Sequence, residues 1–303
     1  KMRVKGVIMK EYVCIDIGGT AIKAGVLDEN ARIIEQLNIP TEAMQGGSYV
    51  LARVKKIIER YIVLRKITGI CISTTGMVDA AQGSIIYANE NMPGYMGINL
   101  KKEIERTFGI LCEVENDVNC AGLAEYWNGA AQKSQSALCM TIGTGIGGCA
   151  IVNGRLLRGI SYSACEVGYM NINGNRFENQ ASTTALVKKV AERKKDKISE
   201  WNGKRILESA EKNDKICIEA INEMAEILGL GIANICYVLN PEIVVLGGGI
   251  MQRESILTDG IRKSVKNNLL PAISSHMRLE LAHYHNAAGM TGAWYCFRKA
   301  HEF

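Results

Sequence analysis

Two strand–glycine–strand units constrain this chain more than any other feature. The first is Cys14-Ile15-Asp16-Ile17-Gly18-Gly19-Thr20-Ala21-Ile22-Lys23. Tyr12 to Ile17 reads as a buried strand and Ala21 to Leu27 as a second. After the turn residues Asp28-Glu29-Asn30, Ala31 to Leu37 reads as a third. Glycines lack a Cβ, so backbone N–H groups come close to an anion, and such a turn suits phosphate oxygens. The Asp16 carboxylate at its mouth makes sense only if a metal ion or a metal-bound water separates it from phosphate.

The second unit is Cys139-Met140-Thr141-Ile142-Gly143-Thr144-Gly145-Ile146-Gly147-Gly148, followed by the strand Cys149 to Val152 and the hairpin dipeptide Asn153-Gly154. Two such units predict two half-domains facing one another across a polyphosphate. Gly143-x-Gly145-x-x-Gly148 also matches a dinucleotide fingerprint, with Glu166 at a suitable distance. That fingerprint must open a helix, whereas this one opens a hairpin. No G-x-x-x-x-G-K-[ST] occurs, which excludes a P-loop.

The 303 residues suffice for one or two domains with a large core, and 47% hydrophobic with 22% charged residues is ordinary for a soluble protein. A net charge of +5, dispersed along the chain, does not point to nucleic acid. Ten cysteines, mostly in apolar runs and without a C-x-x-C pair, read as buried reduced thiols of a cytoplasmic protein. Lys1 to Met9 does not read as a signal peptide, and no run reaches membrane-spanning length. The four histidines cluster late, and His283 with His285 lacks partners for a metal site.

Helical periodicity marks Ser48 to Ile62, Leu100 to Phe108, Ser182 to Arg193, Ile216 to Leu239, Gln252 to about Leu269 and Ala287 to Arg298. Strands are expected over Thr68 to Ser73, Leu111 to Val114, Glu242 to Leu246 and Arg278 to Ala282. Gly247-Gly248-Gly249 ahead of the Gln252 helix reads as a third anion contact. The loop Asn89 to Tyr95 is either a connector or a source of hydrogen bonds for a polar ligand. Glu115-Asn116-Asp117-Val118-Asn119, between a strand and the helix Ala121 to Trp127, admits two readings. It is an N-capping cluster, or Asp117 is a general base for a substrate hydroxyl that Asn116 fixes.

Asp16-Ile-Gly-Gly-Thr20-x-x-Lys23, Glu115-Asn-Asp-Val-Asn119, Gly143-Thr-Gly-Ile-Gly-Gly148 and Gly247-Gly-Gly249 together resemble the ROK family of sugar kinases and repressors, from Tyr12 to about Phe297. The resemblance implies a two-domain α/β fold of the actin-like ATPase (ribonuclease H-like) type, each domain with a mixed five-stranded sheet flanked by helices. The small domain would span 1–117, with a C-terminal helix at about 289–303 packing back on it, and the larger one 118–288. It further implies a cytoplasmic, homodimeric enzyme that binds ATP, Mg²⁺ and a sugar but neither nucleic acid nor membrane. By position, Asp117 is the catalytic base, and Asn91, Asn116, Glu166, Glu178 and Gly76 join it at the sugar. Asp16, Gly18, Gly19, Thr20, Lys23, Gly143, Thr144, Gly145 and Gly248 would meet the nucleotide, with Mg²⁺ near Asp16.

One departure narrows the resemblance. Family members carry His where this chain has Tyr169, then a cysteine-rich zinc loop. Here Tyr169 to Glu178 is short and free of cysteine, which implies no structural zinc. The pattern is most similar to a zinc-less β-glucoside kinase branch, with room for an aglycone, and glucokinase or N-acetylmannosamine kinase are the alternatives. The repressor class needs a helix-turn-helix domain, for which the roughly eleven residues before the first strand are too few. A sugar sensor without turnover remains as a different class.

Overall fold

The computed structural model describes residues 9–301, so most of the Lys1 to Met9 stretch lies outside the described residues. The chain packs as two units. Unit 1 runs up to Ala124 and adds Ile160–Ser163 and the segment from Asn286; unit 2 comprises Glu125–Gly159 and Ala164–His285.

In unit 1, β1 (Glu11–Ile17), β2 (Ala21–Asp28) and β3 (Ile33–Pro40) form an antiparallel meander. The third strand starts two residues later than its apolar run because Ala31 takes a positive φ of 61°, completing the turn that Asp28 ties down through the Asn30 and Arg32 N–H groups. Helix α1 (Gly47–Ile62) buries Val50, Val54, Ile57, Ile58 and Tyr61 on one stripe. It returns the chain to β4 (Ile67–Thr74), parallel to β1 on its other side. A small hairpin of β5 (Met77–Asp79) and β6 (Ser84–Tyr87) precedes α2 (Leu100–Phe108), and β7 (Cys112–Asn116) then lies parallel to β4. The sheet order is β3-β2-β1-β4-β7.

Helix α3 (Asp117–Asn128) starts directly at the end of β7, four residues before the expected start. The reason is local. Asn116 Oδ1 accepts the Val118 and Asn119 N–H groups at 2.9 and 3.0 Å, capping the helix early.

Unit 2 repeats the plan. β8 (Ala137–Ile142), β9 (Ile146–Val152) and β10 (Arg155–Leu156) form a meander whose outer turn is Asn153-Gly154, both at positive φ. The stretch after Tyr169, read from sequence only as polar, holds a hairpin of β11 (Asn171–Ile172) and β12 (Asn175–Arg176) and then α4 (Phe177–Ala181). Helices α5 (Thr183–Lys194), α6 (Gly203–Glu211) and α7 (Lys215–Leu239) follow. Strand β13 (Ile243–Gly247) pairs parallel to β8. Helix α8 (Ile256–Asn268) begins four residues after Gln252, at a capping box of Ser255 and Thr258. Only a three-residue 3₁₀ turn, Gly249–Met251, follows the glycine run, so no long helix aims its N-terminus there. After α9 (Pro271–Ser274), β14 (Arg278–Leu281) completes the order β10-β9-β8-β13-β14. Both units thus carry the same mixed five-stranded sheet, the α/β arrangement of an actin-like ATPase fold.

The last helix, α10 (Ala288–Ala300), belongs to unit 1. Its Phe297 ring fills the space above Gly69, where a Cβ would sit 2.2 Å from the ring, and meets Tyr12 edge-on at 5.7 Å. Two further glycines on the same face, Gly289 and Gly292, let the helix lie close to β1 and α3. A Cβ on Gly289 would reach the Asp16 carboxyl carbon at 2.4 Å, and one on Gly292 the Cys120 carbonyl oxygen at 1.8 Å.

All ten cysteines are free thiols, eight of them buried. Among the described residues, no helix is long and apolar enough to cross a membrane.

Candidate active site

In unit 1 the end of β1 and its turn gather the first set of residues. Gly18 N–H donates to the Ala21 carbonyl at 3.0 Å, closing the turn, and the Thr41 hydroxyl and N–H bond to the Gly18 and Thr20 carbonyls. Gly19 and Thr20 are exposed, and a Cβ on Gly19 would meet nothing. Asp16 pairs across the strands with Lys23, whose Nζ lies 3.8 Å from Oδ2, while the Ser73 hydroxyl donates to Oδ1 at 2.7 Å. Burial raises the Asp16 pKa above its ordinary value, against the opposing pull of Ser73 and Lys23.

The second set lies at the start of α3. Asn116 Nδ2 donates to the Gly76 carbonyl at 2.8 Å and to Asp117 Oδ1 at 3.0 Å, and that same oxygen accepts the Val118 N–H at 2.9 Å. Gly76 holds its carbonyl in place at φ +93°, where a Cβ would strike the Tyr87 carbonyl oxygen at 2.6 Å. With its two cap bonds, Asn116 has both donors and both acceptor sites engaged. In this arrangement the side chain of Asn116 positions Asp117. The first turn of a helix is a favourable place for the negative charge of Asp117. Below it, Glu115 accepts the Asn116 N–H and an Asn119 side-chain N–H, at 2.8 and 3.0 Å.

Asn91 lies in the loop between β6 and α2. It is exposed, and its N–H donates to its own loop, to Asn89 Oδ1 at 3.1 Å. The residue that the loop sends inward is Tyr95, fully buried, its hydroxyl 2.7 Å from Thr74 Oγ1. Burial raises its pKa, the hydrogen bond with Thr74 opposes that, and the Asp117 charge adds to the rise. The aromatic residue in a polar, glycine-rich loop was the only sequence signal for it.

Unit 2 assembles a pair of carboxylates. Glu178, at the start of α4, packs against two glycines: a Cβ on Gly145 would lie 2.5 Å from its Oε2, and one on Gly168 3.2 Å. Glu166 precedes the 3₁₀ turn Val167–Tyr169, and its pKa is raised, first by burial and then by the neighbouring Glu178 charge. A carboxyl raised in the folded state favours folding at low pH and loses that contribution as pH rises through its raised value. Glu178→Gln removes the charged neighbour. Thermal midpoints measured across the acid range will then fall less steeply with rising pH than in the wild type; an unchanged profile would separate the two carboxyls.

Residues from four segments of unit 2 surround a cavity of about 500 Å³. Gly143 and Thr144 form one edge, Thr183 and Val187 of α5 another, and Trp201, Gly203, Gly249 and Ile250 close it. The Thr183 N–H ties α5 to the glycine turn by donating to the Gly143 carbonyl at 2.9 Å. Gly249 lines the cavity, whereas Gly248 stands behind it at φ +104°, where a Cβ would lie 2.2 Å from the Ile142 carbonyl oxygen. Of this cavity the sequence reading contained Gly143, Thr144 and the glycine run that includes Gly249, but not Val187, Trp201 or Gly203. Among the described residues no group of three or more His, Cys, Asp or Glu side chains is arranged to hold a metal ion.

The same architecture occurs in known proteins. The ROK family model matches residues 12–300. An uncharacterized protein of Clostridium perfringens is 44% identical over 288 residues, 95% of this chain and 98% of its own length. A β-glucoside kinase of Listeria innocua is 32% identical, over 95% of this chain and 97% of its own. The crystal structure of a ROK family glucokinase from Streptomyces griseus, in complex with glucose and AMPPNP, superposes with a TM-score of 0.81 at 27% identity, covering 94% of this chain and 97% of that one. Two glycine turns on duplicated sheets and a capped carboxylate at the head of α3 thus sit in a chain matched almost throughout, and the chain belongs to the ROK family.

Proposed function

We propose that the chain is an ATP- and Mg²⁺-dependent carbohydrate kinase that phosphorylates a hydroxyl, the 6-hydroxyl, of the glucose unit of a β-glucoside. The observation that carries the reading is the fixed carboxylate of Asp117, oriented through Oδ1 by Asn116 and the Val118 N–H. Asp117 takes the proton of the sugar hydroxyl as its oxygen bonds to the γ-phosphorus, and the bond from that phosphorus to the ADP oxygen breaks. A positioned base of this kind contributes roughly 10²–10⁴ in rate. Most of the remaining acceleration in phosphoryl transfer comes from positioning and charge stabilisation. The N–H groups of Gly19 and Thr20 and of Thr144 and Gly145, with Lys23, serve that end.

Asp16 fits the role of magnesium anchor. Magnesium is commonly held by one or two carboxylates together with substrate phosphates, and Asp16 offers one, partly exposed and braced by Ser73. Bound there, the ion supplies positive charge to the phosphate oxygens.

Glu166 and Glu178 accept hydrogen bonds from the sugar hydroxyls. What favours a β-glucoside over a free monosaccharide is the short β11–β12 hairpin after Tyr169. Tyr169 is 42% exposed beside Glu166, with the Arg176 guanidinium 5.1 Å from its ring centre, an open rim for an aglycone. The similarity to the Listeria β-glucoside kinase supports the same choice.

An ADP-release assay over hexoses, N-acetylhexosamines and β-linked disaccharides tests this. Turnover on cellobiose above that on glucose is expected. A strong preference for free glucose or N-acetylmannosamine would replace the β-glucoside, and sugar binding without ADP release would make the protein a sensor.

A further inference from the structure

Asp16 is held from three sides, each by a different element of unit 1. Strand pairing sets Lys23 of β2 opposite it on one side of β1 and Ser73 of β4 opposite it on the other. Successive residues of a strand face opposite sides of its sheet. Thr74 accordingly turns away, and its hydroxyl lies 2.7 Å from that of Tyr95. The Ser73 hydroxyl, completely buried, donates to Asp16 Oδ1 at 2.7 Å. The third support is Gly289 of α10, where a Cβ would lie 2.4 Å from the carboxyl carbon, 2.5 Å from Oδ1 and 2.7 Å from Oδ2. Near-equal distances to all three atoms mean that this glycine covers the flat face of the carboxyl group, which cannot tilt that way.

The two oxygens of Asp16 are therefore unlike. Oδ1 carries the hydrogen bond from serine. Lys23 Nζ stands 3.8 Å from Oδ2, beyond hydrogen-bond range, and 16% of the Asp16 side chain remains exposed. Opposite charges at that separation attract, and a carboxylate able to swing would close on the ammonium group. Contact of that kind would take an oxygen from a metal ion and a cation from the phosphates at once. With Gly289 against its face, the carboxylate has one remaining freedom, rotation within its own plane, and the bond from Ser73 opposes it.

We propose that Ser73 is a positioning residue for magnesium: by holding Oδ1 it keeps Asp16 from closing on Lys23 and leaves Oδ2 to the ion that arrives with ATP. This rests on the reading of the chain as an ATP- and Mg²⁺-dependent kinase with Asp16 as the magnesium anchor. Groups that orient a metal ligand without touching the ion are typically worth roughly 10–100-fold in metal affinity or activity.

Calorimetry with AMPPNP on the full chain, once with excess Mg²⁺ and once with the metal chelated, gives the ion's share of the affinity as the ratio of two dissociation constants. Ser73→Ala is expected to reduce that ratio about tenfold while metal-free AMPPNP binds within about twofold of the wild type. The Mg²⁺ concentration for half-maximal turnover will rise in step, and KM for the sugar will stay within about twofold. Mn²⁺ in place of Mg²⁺ gives a spectroscopic reading that needs no turnover: at equal total metal and AMPPNP, its electron paramagnetic resonance will show less bound ion in the Ala variant. An unchanged ratio in that variant would overturn the proposal. So would a loss of AMPPNP affinity equal with and without the metal, the mark of a serine that only supports the fold. If the wild-type constant did not itself depend on Mg²⁺, the reading of Asp16 as magnesium anchor would fall and the proposal with it, an outcome distinct from an unchanged ratio between the two forms.

Discussion

Asp117→Asn is expected to lower kcat by roughly 10²–10⁴ while the dissociation constants for sugar and nucleotide change less than threefold. The substitution is isosteric, and the asparagine oxygen can still accept the Val118 N–H and the Asn116 amide that hold Asp117 Oδ1. The head of α3 therefore keeps its cap, and only the capacity to take up a proton is lost. Removing an interaction made in the transition state alone lowers kcat and kcat/KM together. Single-turnover phosphorylation, with calorimetry for the two ligands, reads both quantities. An enzyme that retained wild-type kcat would place the base elsewhere in the chain.

Gly292→Ala carries the largest expected effect on stability. In an exposed helix, alanine would improve on glycine by about 1 kcal/mol. Here the added carbon falls 1.8 Å from the Cys120 carbonyl oxygen and 2.4 Å from its carbon, both backbone atoms that no rotamer change can move. Overpacking typically costs about 1–3 kcal/mol and occasionally more. A clash against backbone belongs at the upper end, so a net loss of about 2 kcal/mol or more is expected. At about 2.1 cal/mol/K of unfolding entropy per residue, that corresponds for 303 residues to a melting temperature lower by roughly 3 °C or more. Cys120 lies three residues beyond Asp117 on α3, so the residual folded protein will also phosphorylate more slowly. A variant that melted and turned over like the wild type would show that α10 has slack against α3.

The doubled five-stranded sheet followed from the family resemblance, while the two glycine turns and the meanders around them were legible in the residues themselves. Each depends on features a few residues long: the apolar run of Tyr12 to Ile17, the glycines of the turns, the Asn153-Gly154 pair. What was not legible depends on residues far apart in the chain. The Thr183 cavity draws on segments from Gly143 to Ile250, and no local pattern marks Trp201 as their neighbour. No local pattern distinguishes Gly289 and Gly292 from ordinary helix residues, yet Asp16 and Cys120 occupy the space their side chains would take. The start of α3 shows a third kind of limit. Capping and catalysis had been opposed readings of Asn116-Asp117, yet the fold divides the work: Asn116 caps and holds, leaving Asp117 as the candidate base.

The placement of α10 has a consequence for how the molecule comes into being on the ribosome. Unit 1 opens the chain, but its closing helix is made only after the whole of unit 2. At about 5–20 residues per second, the interval between Ala124 and Asn286 is roughly ten to thirty seconds. Throughout it the nascent sheet of unit 1 lacks the glycine face that seats Asp16 and α3, and Cys71 and Cys120 lack the cover of the segment bearing Cys296. Unit 2, contiguous apart from one short excursion, is free to mature before α10 completes unit 1.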